Sequence, residues 1–177
     1  TLFDTIYHEH LAYHSVAPLR KFFAAHGLHL FDVERVSAHG GSLRGFVQRA
    51  GGRHKETHSV EKLIALEHGA GIDQASSFHA FGARIEALKT ELTGLLRRLK
   101  AEGKSIIGYG APAKATTLMY YFGLGSDVLD FIVDDNSLKQ GLLTPGLHVP
   151  ILPSEAIYEH KPDNVLILAW NFAEPIM

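Results

Sequence analysis

The chain has 177 residues, of which 46% are hydrophobic and 20% are charged, a composition typical of a folded domain with a sizeable core. Its formal net charge of −2 argues against a nucleic-acid binder, which usually carries a basic excess. No apolar run is long enough to cross a bilayer, no signal peptide is visible, and the absence of cysteine excludes disulfides and thiolate metal sites, which favours a cytoplasmic address.

The first third of the chain predicts a small α+β segment. A helix is expected after Ser15, which can cap it, and Gly27 can close it. Residues 28–37 and 43–49 alternate in the manner of two strands, and the small residues 39–42 form a turn between them. The sequence therefore predicts one helix followed by a strand pair.

Two helices are predicted next, over residues 57–67 and from Ser76 or Ser77 to a point before Gly103. The second carries an apolar seam in steps of three and four, formed by Phe78, Phe81, Ile85, Leu88, Leu92, Leu95 and Leu99. We expect this seam to lie on the domain's own core, and a coiled-coil dimer is the alternative.

From Lys104 onward, apolar runs alternate with helical stretches. Such alternation indicates a parallel sheet with right-handed crossovers. The predicted fold class is α/β, a three-layer Rossmann-like parallel sheet with flanking helices, preceded by the small α+β segment and the long helix. The predicted strands are residues 105–109, 130–134 and 165–170, and the predicted helices are residues 112–121 and a short one over 153–158.

A glycine-rich turn joins the first of these strands to its helix. It runs Gly108-Tyr109-Gly110-Ala111-Pro112-Ala113-Lys114. Glycine permits close approach of a ligand to the backbone, and a helix start offers free N–H groups that suit phosphate. Lys114 adds a positive charge, and Asp134 stands where a ribose partner sits in dinucleotide folds. A tight turn without a ligand is the alternative, because Ala113 replaces the third glycine.

Ligands of parallel sheets bind beyond the carboxyl ends of the strands. This rule brings three segments to one edge, residues 110–114, 134–136 and 170–172. Trp170 can stack on a flat base there and Asn171 can hydrogen-bond its edge. The alternative is that Trp170 simply fills the core.

The second candidate site is the run Tyr7-His8-Glu9-His10. Histidine is the side chain best suited to proton transfer near neutral pH. A helix would put Tyr7, His10 and His14 on one face, whereas a strand would pair His8 with His10. A metal is not expected, because His10 and His14 enclose no Glu at the spacing common in zinc helices.

A third candidate lies in the turn between the two predicted strands, where His39, Ser42 and Arg44 flank small residues that admit a ligand. A plain hairpin turn is the alternative. The remaining histidines are interpreted as surface or capping residues: His26, His29, His54, His58, His68, His79, His148 and His160.

Four motifs in this order give the chain a resemblance that covers essentially its whole length: residues 7–11, 39–44, 108–114 and 169–171. Together they resemble the C-terminal domain of the sugar-nucleotide C-methyltransferases, such as the dTDP-keto-sugar C-3 methyltransferases of deoxysugar biosynthesis. That family has a small N-terminal zinc-binding domain, a central S-adenosylmethionine domain and this C-terminal α/β domain.

The resemblance implies that His10 is the general base, with Tyr7 and Glu9 as its neighbours, and that the nucleotide sugar lies along this domain. It implies S-adenosylmethionine as cofactor, bound mainly by a domain that this chain lacks, and zinc only in the missing N-terminal domain. The implied partner is a dTDP-keto-sugar-type small molecule, with neither nucleic acid nor membrane, and the oligomeric state stays open.

We expect the chain to be a fragment, inactive alone, because it begins at Thr1 without a donor-binding region. Its expected sub-regions are 1–55 with the catalytic motif, 56–102 with the helices, and 103–177 with the Rossmann-like part. Two other functions are considered. One is an NAD-type dinucleotide-binding oxidoreductase domain, suggested by the glycine turn and Asp134, and the other is a non-catalytic module that dimerises through the long helix.

Overall fold

The structure is a computed structural model that describes residues 3–38 and 41–177. It divides into two compact units. One consists of Thr1–Leu11 with Ala83–Met177, and the other of Ala12–Gly82. The division differs from the sub-regions expected from the sequence, because the short segment before Ala12 packs with the C-terminal half of the chain.

The unit Ala12–Gly82 contains the predicted α+β segment. Helix α1 (Val16–Ala25) precedes an antiparallel pair, β1 (Leu28–Val36) and β2 (Ser42–Arg49), and helix α2 (His58–Gly69) follows. The long helix α3 (Ala75–Ala101) begins in this unit. All five elements agree with the sequence-based prediction to within about two residues, the usual uncertainty of helix and strand ends.

The start of α1 is capped differently from the prediction. Ser15 occupies the N-cap position but its side chain makes no capping hydrogen bond. The carboxylate of Glu67, on α2, accepts instead from the N–H groups of Val16, at 2.5 Å, and Ala17, at 3.0 Å. Glu67 is 8% exposed, so a buried carboxylate accepts the first N–H groups of the helix, and its negative charge interacts favourably with the positive end of the helix dipole.

The other unit is built on a parallel sheet. Its strand order is β5-β4-β3-β6, and every neighbouring pair is parallel. A 3-10 turn at Phe3–Thr5 and the later part of α3 also belong to this unit. Its remaining elements are β3 (Ile106–Tyr109), α4 (Ala113–Phe122), β4 (Ile132–Val133), β5 (Ile151–Leu152), α5 (Ala156–His160), β6 (Asn164–Ile167), a 3-10 turn (Trp170–Phe172) and α6 (Ala173–Ile176).

Two details of this sheet depart from the sequence-based prediction. Strand β5 was not predicted, because a strand of two residues leaves no alternation to detect. Strand β6 ends at Ile167 instead of reaching Trp170. The N–H groups of Leu168 and Ala169 both turn to the carbonyl of Tyr109, at 2.9 and 3.3 Å, which ends the ladder there.

Successive residues of β3 face opposite sides of the sheet, as strand geometry requires. Ile106 is buried in a cluster with Leu96 of α3 and Met119 of α4. Ile107 is buried in another cluster with Ala156 of α5. The central strand is therefore covered on both faces, which explains its apolar composition.

The apolar seam of α3 is confirmed in part. Ile85, Leu92 and Leu99 pack against the core of their own unit, and Leu96, outside the predicted seam, is buried with them. The side chains of Leu88 and Leu95 are exposed. The repeat of seven between the packed residues places one narrow stripe of the helix on the sheet.

None of the helices described over residues 3–38 and 41–177 is both long and apolar enough to span a bilayer.

Candidate active site

The carboxyl ends of four parallel strands meet at one edge of the sheet, three of them in strands that the sequence predicts. The turn after β3 requires glycine at Gly110, whose φ of 85° is left-handed. A Cβ on Gly110 would also lie 2.6 Å from the Cβ of Ala169. Gly110 thus lets the turn after β3 pass closely against the turn after β6.

Asp134, at the end of β4, fixes the glycine turn in place. Its carboxylate accepts from the N–H of Ala111 at 2.7 Å and of Asn136 at 2.9 Å, and from Nζ of Lys139 at 3.0 Å. Burial raises the pKa of Asp134, but these donors outweigh it, so the pKa lies below its ordinary value. Asp134 is therefore an ionised residue whose bonds hold the backbone of the turn.

Asp135, the next residue, faces a separate polar group. It accepts from the hydroxyl of Tyr109 at 3.2 Å and from that of Ser154. Burial raises the pKa of Tyr109, as does the neighbouring carboxylate. The ends of β3, β4 and β5 are thereby joined by side-chain hydrogen bonds.

Trp170 and Lys114 meet over a carboxylate that the sequence interpretation did not single out, that of Asp4. The indole N–H of Trp170 donates to Asp4 Oδ2 at 2.7 Å, and Nζ of Lys114 lies 3.7 Å from the same oxygen. Nζ of Lys114 also lies 4.2 Å from the centre of the Trp170 ring. The expected stacking of Trp170 on a base stays a prediction, and in the structure Lys114 occupies one face of the indole.

The run Tyr7-His8-Glu9-His10 forms a turn, neither the helix nor the strand considered from the sequence. The N–H of His10 donates to the carbonyl of Tyr7 at 2.9 Å. Nδ1 of His10 lies 2.9 Å from the carbonyl oxygen of Thr5. Because a carbonyl oxygen can only accept, Nδ1 carries the hydrogen, and in neutral imidazole Nε2 holds the lone pair. In this tautomer the nitrogen that can accept a proton is Nε2.

Tyr7 and Glu9 flank this imidazole. The ring centres of Tyr7 and His10 are 4.6 Å apart, and the Tyr7 hydroxyl donates to Glu9 Oε2 at 3.4 Å. Glu9 Oε1 lies 3.9 Å from Nε2 of the exposed His8. The tautomer of His10 is thus set by the Thr5 carbonyl, whereas Glu9 contacts Tyr7 and His8.

The turn Phe3–Thr5 is fastened to helix α4. The ring of Phe3 stacks on Phe122, with centres 5.5 Å apart and planes 8° from parallel. The hydroxyl of Thr117 donates to the carbonyl of Ile6 at 2.8 Å. Together with Asp4, these contacts place the histidine segment beside the helix that opens from the glycine turn.

The other predicted site residues lie at varied places. Gly108 is buried inside the sheet, where a Cβ would come 2.8 Å from Ile132 and 2.9 Å from Leu168, so its small size serves strand packing. Pro112 is the N-cap residue of α4, and Asn171 is exposed in the turn after β6. Binding of substrate by these residues stays a prediction.

The third candidate site belongs to the unit Ala12–Gly82. The Ser42 hydroxyl donates to the carbonyl of Ala38 at 3.0 Å, and Arg44 pairs with Glu34 across the strand pair at 2.6 Å. His39, the third member, lies outside the described residues. The structure thus gives Ser42 a turn-forming bond and Arg44 a cross-strand partner.

Asp4 is the residue of the site that sequence reasoning missed. Its signal was weak, a lone carboxylate between Phe3 and Thr5 just ahead of the histidine run. The residue is 3% exposed, and an aspartate is seldom so buried without a partner. Its partners follow more than 100 positions later, and no local pattern predicts that pairing.

In the part of the chain that the structure describes, no group of three or more His, Asp or Glu side chains is arranged to hold a metal ion.

These features belong to a known class of protein. Residues 37–177 match the family described as the C-methyltransferase C-terminal domain, and the chain belongs to that family. The resemblance predicted from the four motifs is confirmed.

A named relative extends the match to almost the whole chain. The C-methyltransferase NovU of Streptomyces niveus is 38% identical over 175 residues, which is 99% of this chain. The similarity therefore includes the histidine segment that precedes the family match. The chain spans 42% of the length of that relative.

Proposed function

We propose that this chain is the substrate-binding part of an S-adenosylmethionine-dependent enzyme that methylates a carbon of a nucleotide-linked keto sugar. The proposal rests on one observation above all, the bond from His10 Nδ1 to the Thr5 carbonyl. That bond leaves Nε2 as a proton acceptor in a turn anchored at the carboxyl edge of the sheet.

His10 removes the proton from the carbon beside the ketone. Such a carbon is a weak acid, so it needs a base within hydrogen-bond reach and a donor for the developing enolate oxygen. Nε2 of His10 takes the proton, and the hydroxyl of Tyr7 is the proposed donor to the oxyanion. The single hydrogen of that hydroxyl, directed at Glu9 Oε2 at 3.4 Å, turns to the oxyanion when the substrate binds.

When bound, S-adenosylmethionine would supply an electrophilic methyl group on sulfur, which the enolate carbon would take while the electron pair of the carbon–sulfur bond stays on sulfur. The proton remains on His10 until it passes to solvent. What this chain contributes is the base, the oxyanion donor and the position of the acceptor sugar.

In our proposal, the nucleotide part of the substrate lies at the carboxyl ends of the neighbouring strands β3 and β6, where the strand order reverses. Counted from β3, the strand order is third, second, first, fourth, which is how a Rossmann-like sheet begins. The rule for such sheets puts a ligand at this point of reversal. The turn Gly110 to Pro112 and the start of α4 then face the diphosphate, and thymidine diphosphate is the expected nucleotide.

The proton-transfer step is tested by following exchange of a substrate hydrogen with solvent. The experiment uses the full-length gene product. Incubation of the keto sugar nucleotide in deuterium oxide should exchange the hydrogen beside the ketone, even without methyl donor. The substitution His10→Ala should abolish both this exchange and turnover, since the base is gone. Calorimetry should show that its affinity for thymidine diphosphate stays nearly unchanged.

A matched control is available in His26, whose Nδ1 also bonds a backbone carbonyl, that of Phe22, at 2.8 Å. His26→Ala removes the same kind of hydrogen bond outside the histidine segment and should leave exchange and turnover near normal. Near-normal turnover in His10→Ala would show that His10 is not the base. Exchange without methylation in the unmodified protein would refute the transfer step alone.

A further inference from the structure

We infer that Asp4 is a positioning residue, which holds the histidine segment against the start of α4 by binding Trp170 and Lys114 together. This inference rests on the proposed role of His10 as base. Asp4 itself is not assigned contact with the substrate.

The three side chains form a closed set. Asp4 Oδ2 accepts the indole N–H of Trp170 at 2.7 Å and lies 3.7 Å from Nζ of Lys114, while that Nζ lies 4.2 Å from the Trp170 ring centre. The Asp4 side chain is 5% exposed and that of Lys114 is 15% exposed. Each residue therefore contacts the other two. The carboxylate and the ammonium are largely shielded from water, whereas Trp170 is 39% exposed.

Because Asp4 is buried, its contacts with Trp170 and Lys114 determine where the turn Phe3–Thr5 lies. A carboxylate taken out of water costs free energy unless donors replace its hydration. The Trp170 N–H donates a hydrogen bond to Asp4, and the Lys114 ammonium at 3.7 Å adds a compensating charge. Moving the turn Phe3–Thr5 away from Trp170 and Lys114, which follow β6 and β3, would leave the buried carboxylate without these partners and would cost free energy.

The link from Asp4 to the imidazole passes through one peptide. Asp4 is followed directly by Thr5, whose carbonyl receives His10 Nδ1 at 2.9 Å. A displaced Asp4 would move that carbonyl and free His10 to adopt the other tautomer, with the hydrogen on Nε2. In that tautomer the atom assigned to proton removal is blocked, so Asp4 governs the base through backbone geometry.

The first test reads the geometry without any reaction. Nitrogen-15 NMR of labelled histidine, with His10→Gln to assign the signal, should show His10 protonated at Nδ1 when neutral. In Asp4→Ala the signals should shift toward protonation at Nε2, and the indole N–H of Trp170, the single tryptophan of the chain, should exchange faster with solvent. Asp4→Asn keeps an oxygen for the indole and should change both signals less.

The control is Asp127→Asn, at an exposed aspartate of the same compact unit, which should change neither signal. If Asp4→Ala fails to fold, Asp4→Asn and Trp170→Phe carry the test, because the first removes the charge that faces Lys114 and the second removes the indole donor. Trp170→Phe is read on the histidine signal alone. An unchanged histidine signal in the folded variants would overturn the inference.

The second test reads turnover in the protein as its gene encodes it. A positioning residue changes the chemical step more than binding, so Asp4→Ala should lower kcat about tenfold or more while KM changes less than about threefold. Unaltered kcat despite a changed His10 tautomer would refute His10 as the base and leave the anchoring role of Asp4 intact. A rise in KM alone, with kcat intact, would overturn the positioning role.

Discussion

Two lysines and three aspartates lie at the carboxyl edge of the sheet. Lys139 pairs with Asp134 at 3.0 Å and Lys114 lies 3.7 Å from Asp4, whereas Asp135 accepts from the hydroxyls of Tyr109 and Ser154. The two lysine–aspartate pairs are neutral, so the charge of Asp135 is left over. A diphosphate carries more negative charge than one carboxylate, so it can still attract Lys114, with help from the positive dipole end of α4.

Lys114→Ala tests that attraction. We expect the affinity for thymidine diphosphate to fall about tenfold, the loss of roughly one charge-assisted hydrogen bond, with a smaller effect on kcat. Titration calorimetry at low salt measures it. Lys89→Ala is the control. Lys89 also lies over an aromatic ring, that of Tyr121, but it belongs to helix α3 and not to the start of α4. Equal affinity in Lys114→Ala and the unmodified chain would remove Lys114 from the phosphate site.

The elements of the fold followed from local patterns to different degrees. Helices of ten residues or more showed both period and end signals, which is why α1 to α4 were predicted closely. The two-residue strands β4 and β5 carry almost no pattern of their own, and β5 was missed. Strand β4 is placed by pairing with β3, and β5 by pairing with β4, which is a tertiary effect. The cap of α1 was also predicted incorrectly, as Ser15, because Glu67, which accepts the N–H of Val16, lies 51 residues further along the chain.

Glu67→Gln tests this cap of α1. The amide keeps one acceptor but turns an N–H group toward another N–H, so the helix start loses a charge-assisted bond that is worth about 1.5 to 3 kcal/mol. Hydrogen exchange of the α1 amides should show a loss of local stability of that order. Ser15→Ala is the matched control and should cost less than about 0.5 kcal/mol, because Ser15 makes no capping bond. A larger cost for Ser15→Ala would contradict the assignment.

At the scale of the whole molecule, the candidate site combines what sequence can and cannot predict. Gly110, Lys114 and Trp170 could be predicted to lie at one edge, because the strand ends of a parallel sheet share it. Asp4 could not, since its role depends on partners that only folding brings near. The sequence also could not predict which nitrogen of His10 holds the lone pair. That nitrogen is determined by the bond to the Thr5 carbonyl, and every residue has such a backbone group.

The acid stability of the molecule is predicted from aspartates in both compact units. Asp32 is held below the ordinary pKa of 3.8 by the hydroxyls of Ser59 and Thr57, and Asp73 by the imidazole of His68. The N–H of Ser105 and the side chain of Lys104 lower the pKa of Asp163 to about 2. A lowered folded pKa gives stability that is complete above 3.8 and is lost as pH falls through the folded value.

The stability should therefore hold from neutrality down to about pH 4 and fall steadily below it. Asp163 joins the starts of β3 and β6 through Ser105, at 2.9 Å to its N–H, so Asp163→Asn should be less stable above pH 4. The two stability curves should converge toward pH 2, where the native carboxylate protonates. Urea unfolding followed by Trp170 fluorescence measures this, because Trp170 lies in the same unit as Asp163. The exposed Asp127, changed to Asn, gives the baseline, and a difference that stays constant down to pH 2 would show that ionisation of Asp163 is not what stabilises this end of the sheet.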